Sequence, residues 1–171
     1  MYLAYCKKEI KINVILNLLI NGAIGWFMFA SMDAIPLTGE GDTVAFDLGL
    51  GTFFVTFFVC FFTMFNIQQA LKKNSQTGHL WEEGTISYKL ASMLPATKAK
   101  LVTLWLVVAF TLFYAPSLLV VEHFMDGAMG GVVYTVYKTL YCTVLAYLIA
   151  FSASRVAVAD HTAMNTVTAT A

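Results

Sequence analysis

Four long apolar stretches constrain the fold of this chain more than any other feature of its sequence. Each runs for about 20 residues, the length that a helix needs to cross a bilayer core about 30 Å thick. They cover residues 12–32, 47–67, 101–121 and 130–154. A helix satisfies its own backbone hydrogen bonds, which lipid cannot do for it. The sequence therefore predicts an all-α membrane protein, with four transmembrane helices in an antiparallel bundle.

The overall composition agrees with this prediction. Hydrophobic residues make up 59% of the 171 residues and charged residues 12%, whereas a soluble domain carries about 45–50% apolar and about 25% charged residues. We expect one transmembrane domain over residues 1–159 and a polar tail over residues 160–171. The first stretch follows three lysines, as a signal peptide does, but it is too long and no good cleavage site follows it. We therefore expect it to be retained.

The basic residues predict the orientation. Nine of the ten lie before the first span, in the loop of residues 68–100, or after the fourth span, and they are Lys7, Lys8, Lys11, Lys72, Lys73, Lys89, Lys98, Lys100 and Arg155. The loops on the other side, residues 33–46 and 122–129, contain neither Lys nor Arg. Because basic loops stay in the cytoplasm, we expect both termini there. Within the cytoplasmic loop, ISYKLASML could form a short interfacial helix that ends at Pro95.

Lys138 is the most informative polar residue, because a charge inside a span is costly and usually faces the bundle interior. It lies roughly 12 Å from the outer end of the fourth span, at about 1.5 Å per residue. Three outcomes would relieve the cost. The ammonium could extend to the interface, hydrogen-bond to polar side chains and carbonyls, or pair with Asp47 or Glu122, which both lie at the outer margin.

The predicted intramembrane site surrounds Lys138 with polar residues from all four spans. Its other members are Asn17, Asn21, Asp47, Thr56, Tyr114 and Tyr134. The same residues have a purely structural interpretation, because amides hold membrane helices together and Thr often bonds back to its own helix. Small residues predict close helix packing, within the chain or between subunits, and they are Gly22, Gly25, Ala146, Ala150 and Ser154. Pro116 could kink the third span.

Catalytic and cofactor motifs give no positive signal. None of the patterns G-x-S-x-G, H-E-x-x-H or G-x-x-x-x-G-K-[ST] occurs in the sequence. The three Cys residues lack metal-ligand or redox spacing, and the three His residues fall in the predicted loops or the tail. We therefore expect no enzyme activity, no cofactor and no metal. The net charge of zero gives no reason to expect a nucleic-acid partner.

Four segments of the chain resemble a family of small, uncharacterised bacterial membrane proteins with four predicted helices. They are NLLINGAIGWFMF, DLGLGTFF, SMLPATKAKL and YKTLYCTVLAYLIAFSASRVAVAD. The resemblance implies a four-helix architecture in a bacterial inner membrane. It implies no activity, so no functional residue can be transferred from it.

Two functional hypotheses follow. The first is a small transporter or channel-like protein whose pathway uses Lys138, with Asn17, Asn21, Thr56 and Asp47 nearby. Four helices rarely enclose a wide pore, so this hypothesis predicts a homo-oligomer or a narrow proton or ion route. The alternative is a non-catalytic scaffold or accessory subunit in which the polar residues only assemble helices. Its partners would be the lipid bilayer, a second copy or another membrane protein, and its basic loop would bind a partner or anionic lipid.

Overall fold

The computed structural model describes residues 2–161, so most of the predicted tail, from residue 162 onward, lies outside the described residues. The helices are α1 (Tyr2–Phe29), α2 (Val44–Lys73), α3 (Ile86–Met93), α4 (Lys98–Phe124) and α5 (Gly131–Val158). Two short strands, β1 (Ile35–Pro36) and β2 (Ala128–Met129), join the loops at one end. Four helices, α1, α2, α4 and α5, are long and apolar enough to cross a membrane.

Each of these four helices extends beyond its predicted stretch at one end or both, although α1 ends at Phe29, before residue 32, and α5 begins at Gly131. The first begins at Tyr2 rather than at residue 12, and the second continues to Lys73 rather than to residue 67. A hydropathy window detects only the part of a helix that suits hydrocarbon, whereas the backbone bonds of the helix continue through polar residues such as Lys and Gln, which form helices readily. The predicted short helix is present as α3, and Thr85 caps it by accepting a hydrogen bond from the Tyr88 backbone N–H at 3.2 Å.

Helix α5 is the most buried of the four long helices and packs against both α1 and α2. Helix α4 packs mainly against α2. Helices α1 and α5 run in opposite directions, because Cys6 contacts Ser154 near one end and Gly25 contacts Thr135 near the other. Helices α2 and α5, however, run in the same direction. Successive long helices are therefore antiparallel, as predicted. The second and the fourth, α2 and α5, are consequently parallel to each other.

Small residues allow α1 and α5 to approach closely. The Thr135 hydroxyl donates to the carbonyl oxygen of Gly25 at 2.9 Å, and a Cβ on Gly25 would lie 3.0 Å from the Thr135 methyl group. At the start of α5, a Cβ on Gly131 would overlap the carbonyl oxygen of Phe29. Only glycine fits that position without moving a backbone, so Gly131 fixes where the end of α1 meets the start of α5.

Helix α4 contains one π-helical turn at Phe110–Tyr114, followed directly by Ala115 and Pro116. The Ala115 N–H bonds to the carbonyl of Phe110. Proline has no N–H to offer to the preceding turn, and a π turn is a common way to accommodate such a break inside a helix. The irregularity that Pro116 predicts in the third span is thus a π turn.

The two ends of the bundle differ in charge. We call the end formed by residues 30–43 and 125–130 the acidic end, where β1 and β2 pair antiparallel with Ile35 opposite Met129. We call the opposite end the basic end, which contains the start of α1, the end of α2, residues 74–97, the start of α4 and the end of α5. There His79 and Ala159 form an isolated parallel β-bridge through their backbones, and the Trp81 indole donates to the carbonyl of Arg155 at 3.2 Å.

The outer surface of the bundle is strongly apolar. On α2 a ladder of large rings is exposed, and its members are Phe53, Phe54, Phe57, Phe58, Phe62 and Phe65. Successive turns stack, as in the Phe54–Phe58 pair with ring centroids 5.9 Å apart. A contiguous apolar surface of this kind is unfavourable in water and suits contact with hydrocarbon or with another apolar surface.

Candidate functional site

Lys138 forms an ion pair with Asp47 between α5 and α2. The ammonium nitrogen Nζ lies 2.6 Å from Oδ2 and 2.7 Å from Oδ1 of the carboxylate. The lysine side chain is 4% exposed and the aspartate side chain 16%. Of the three outcomes predicted for Lys138, the structure contains the pairing, and Asp47 rather than Glu122 is the partner.

The parallel arrangement of α2 and α5 brings these two residues within reach. Both helices begin at the acidic end, and Asp47 lies in the first turn of α2. Lys138 lies two turns into α5, about 10 Å from Gly131, while Asp47 lies about 5 Å from Val44. The four-carbon stem of lysine spans the remaining offset. The cation therefore reaches toward the acidic end, and the carboxylate stays near the helix start, where the helix dipole favours a negative charge.

Tyr134 and Phe29 complete the surroundings of the pair. The Tyr134 hydroxyl donates to Oδ2 of Asp47 at 2.5 Å, so the carboxylate accepts bonds from two side chains one turn apart on α5. The Phe29 ring centre lies 5.4 Å from Nζ, and the ring meets Tyr134 edge-on at 5.1 Å. An aromatic face at this distance stabilises a cation. Both aromatic residues are fully buried, so the pair is enclosed by apolar surface on this side.

The asparagines of α1 lie apart from Lys138. Each donates to the carbonyl of the residue four positions earlier, and Asn21 also contacts the Asn17 side chain at 3.3 Å. The hydrogen bonds and ion pairs of Lys138 within residues 2–161 go to Asp47 alone. The predicted site therefore divides into a charged group between α2 and α5 and an amide stripe along α1.

The other predicted members are placed separately as well. Tyr114, at the end of the π turn, donates to the carbonyl of Ala45 at 3.1 Å, close to Asp47 in sequence. The Thr56 hydroxyl is buried and has no hydrogen-bond partner among the described residues. One turn earlier, Thr52 bonds to the Tyr141 hydroxyl at 2.7 Å and to the carbonyl of Leu48. Thr52, and not Thr56, therefore joins α2 to α5 on the side of the ion pair that faces the basic end.

A second polar cluster lies nearer the basic end and is not part of the site predicted from the sequence. Glu9 on α1 is 8% exposed and accepts a hydrogen bond from the Asn66 side chain on α2 at 3.2 Å. One turn further along, Asn13 donates to the Thr63 hydroxyl at 3.1 Å. The signal was present in the spacing, because Glu9 precedes Asn13 by four residues and continues the asparagine stripe by one turn. Its position before the apolar stretch concealed it.

The predicted packing residues lie on helix faces that are largely buried. Gly22 and Gly25 face Thr139 and Thr135 of α5. Ala146, Ala150 and Ser154 are fully buried, and the backbone carbonyl of Ser154 accepts a bond from the Cys6 thiol at 3.6 Å. All three cysteines are buried and free. Within residues 2–161, no group of three His, Cys, Asp or Glu side chains is arranged to hold a metal ion.

Comparisons with known proteins add nothing to this geometry. No family model matches the chain, and no curated protein or solved structure matches it either. The resemblance to small bacterial membrane proteins therefore stays a prediction.

Proposed function

We propose that this chain is an integral protein of a bacterial inner membrane, with four spans and with both termini in the cytoplasm. Its four long apolar helices and their exposed apolar surface support the membrane location. The absence of Lys and Arg from residues 33–46 and 122–129 supports the orientation, because positive charge resists translocation. In this arrangement the acidic end faces the periplasm and the basic end faces the cytoplasm.

Within that membrane, we propose a non-transporting scaffold or accessory subunit. The observation that carries the proposal is the ion pair of Lys138. Both carboxylate oxygens of Asp47 contact its ammonium, and its side chain is 4% exposed. A substrate contact would have to displace the carboxylate first. Intramembrane hydrogen bonds and charge pairs between helices are well suited to assembling a bundle.

The partners follow from the outer surface. The exposed ladder of Phe residues on α2 and the exposed side chains of Val107, Leu112 and Leu119 on α4 are suited to lipid. They suit equally an apolar face of a second copy of the chain or of another membrane protein. Neither surface carries the charge expected for nucleic acid.

Transport is the second candidate, and one observation favours it. The Asp47 side chain is 16% exposed and lies at the start of α2, so a proton or ion at the acidic end could contact the carboxylate. A transport route would then begin at Asp47 and pass Lys138. The scaffold and transport proposals differ in what happens when the whole pair is replaced.

That difference can be measured with Lys138→Met, Asp47→Leu and the double variant in proteoliposomes. Removal of one partner leaves a buried charge unpaired and costs about 3–5 kcal/mol, whereas replacement of both by apolar residues is often nearly neutral. We expect the single variants to unfold at lower denaturant and the double variant to recover. A pH-sensitive dye inside the vesicles should report proton leakage equal to that of protein-free vesicles for the wild type and the double variant.

The scaffold proposal is overturned if the wild type dissipates the pH gradient while the folded double variant does not. That result would assign a proton route to the pair. Failure of the double variant to recover, with no leakage in any sample, would instead show that the pair is required for assembly in a way that apolar packing cannot replace, which strengthens the structural role.

A further inference from the structure

An open, shallow cavity of about 440 Å³ lies on the surface between α1 and α5 at the basic end, on the opposite half of the molecule from the Lys138–Asp47 pair. Three cationic side chains line it, Lys7 and Lys11 from α1 and Arg155 from α5, and no Asp or Glu does. A cavity with three positive charges and no negative one has an electrostatic preference for an anion.

The lysines are placed to share one ligand. They are four residues apart on α1, so they lie on one helix face, and both are exposed. Glu9 lies between them in sequence, yet its carboxylate is turned to the Asn66 side chain on α2. Within residues 2–161, neither lysine has a carboxylate within ion-pair distance. Among the described residues, their charge is therefore not neutralised by an ion pair.

Arg155 is held differently, because the protein fixes its guanidinium in place. The residue is 8% exposed, and Nη1 donates to the carbonyl of Phe151 at 3.2 Å and to the Ser154 hydroxyl at 3.0 Å. The guanidinium carbon lies 3.7 Å from the Phe151 ring centre. The described hydrogen bonds use Nη1 alone, and the buried Nε has no partner among the described residues. A buried cation without a counter-charge is costly, and an anion in the cavity would supply that charge.

The rest of the cavity is apolar and lies farther along the two helices, toward the acidic end. Its walls are Ile10, Val14 and Ile15 from α1 and Tyr147 from α5. From Lys7 to Ile15 the helix rises roughly 12 Å toward the acidic end. The charged groups therefore cluster at the mouth, and the hydrocarbon side chains continue along the helices. A free inorganic ion would use only the mouth, whereas an amphiphile would use both parts.

We propose that this cavity binds the phosphate headgroup of an anionic phospholipid, with the first part of one acyl chain lying between α1 and α5. The three cations contact the phosphate, and Arg155, already oriented by its own bonds, supplies the fixed donors that suit phosphate geometry. The site is distinct from the loop of residues 68–100, for which the scaffold hypothesis predicts binding to a partner or to anionic lipid. It requires the membrane location but not the scaffold role of the Lys138–Asp47 pair.

Native mass spectrometry of the protein released from nanodiscs of mixed phosphatidylglycerol and phosphatidylcholine tests the proposal. We expect one phosphatidylglycerol to be retained by the wild type. In the Lys7→Gln/Lys11→Gln variant, the fraction of protein that retains this lipid should fall about tenfold, because each basic residue near an anionic headgroup contributes appreciably to binding. The matched control is Lys72→Gln/Lys73→Gln, which removes the same charge from exposed positions of the basic end outside the cavity and should retain the lipid.

Three results would overturn the proposal. Equal loss of lipid in both double variants would mean that only the general charge of the basic end matters. Equal retention of phosphatidylglycerol and phosphatidylcholine by the wild type would remove the preference for an anion. Displacement of the bound lipid by millimolar inorganic phosphate would assign the cavity to a soluble anion. Both double variants alter exposed lysines, so size-exclusion profiles should match the wild type and keep each result interpretable.

Discussion

Asp47 is the residue on which the contacts of the ion-pair site converge. Its carboxylate accepts the ammonium of Lys138 and the hydroxyl of Tyr134, while it also lies in the first turn of α2. In the membrane location that we propose, a lysine near the centre of a span costs about 2.5–3.5 kcal/mol on insertion scales. The pair offsets that cost only while the carboxylate remains correctly oriented, and Tyr134 provides the second contact that fixes it.

Replacing Tyr134 by Phe tests this orienting contact. The ring and its packing against Phe29 remain, but Asp47 loses a hydrogen-bond donor in an enclosed environment. We expect the free energy of unfolding to fall by about 1–2 kcal/mol, measured by denaturant titration in mixed micelles. Tyr137→Phe is the control, because the Tyr137 hydroxyl makes no hydrogen bond to any of residues 2–161. Equal stability of Tyr134→Phe and Tyr137→Phe would contradict the orienting role.

The sequence predicted the centre of this site better than its membership. Lys138 stood out because it is the only charged residue well inside an apolar stretch, and Asp47 was one of two carboxylates near enough to pair with it. Asn17, Asn21 and Thr56 were grouped with it by depth alone. Depth gives the position of a residue along its helix, but it does not show which way the side chain faces. The amides of Asn17 and Asn21 donate to carbonyls of their own helix and do not contact Lys138.

At the scale of the elements, the start of α2 is defined by Thr43, whose hydroxyl accepts a hydrogen bond from the Phe46 backbone N–H at 3.2 Å. This cap sets the register of the first turn, and with it the position of Asp47. Thr97 at the start of α4 occupies the corresponding position but makes no side-chain cap bond. The two threonines therefore form a natural comparison.

We expect Thr43→Ala to lower the free energy of unfolding by about 1 kcal/mol, since an N-cap hydroxyl typically contributes that amount. Thr97→Ala should change it far less. Thr43→Ser keeps the hydroxyl and removes only the methyl group of this buried residue, so it should retain most of the stability. The same denaturant titration measures all three. If Thr43→Ser destabilises as much as Thr43→Ala, packing rather than capping explains the effect.

Helix boundaries and helix neighbours were predictable to different degrees. Hydropathy located all four long helices, and the Thr85 start of α3 follows from ordinary capping chemistry. The neighbours were not predictable, because apolar faces of similar composition can pair in several ways. The parallel contact of α2 with α5 depends on specific fits, such as Thr52 with Tyr141 and Asp47 with Lys138, which have no periodic signature in the sequence.

At the scale of the whole molecule, the proposed orientation makes a direct prediction about labelling. The three native cysteines are buried, so introduced cysteines provide the only readily accessible thiols. With a membrane-impermeant maleimide added to intact cells, Glu40→Cys at the acidic end should react and Lys89→Cys at the basic end should not. After the inner membrane is permeabilised, both should react. Reaction of Lys89→Cys in intact cells would contradict the proposed topology.

The parallel pairing of α2 with α5 also has a consequence for biogenesis. Asp47 is synthesised before Lys138, so in the proposed membrane location three long helices are inserted before the fourth brings the ammonium to the carboxylate. Until then the bundle lacks its most buried helix, and Asp47 lacks its ion-pair partner. The fourth long helix thus supplies the ion-pair partner of a residue in the second, and the bundle can close only after α5 has been made.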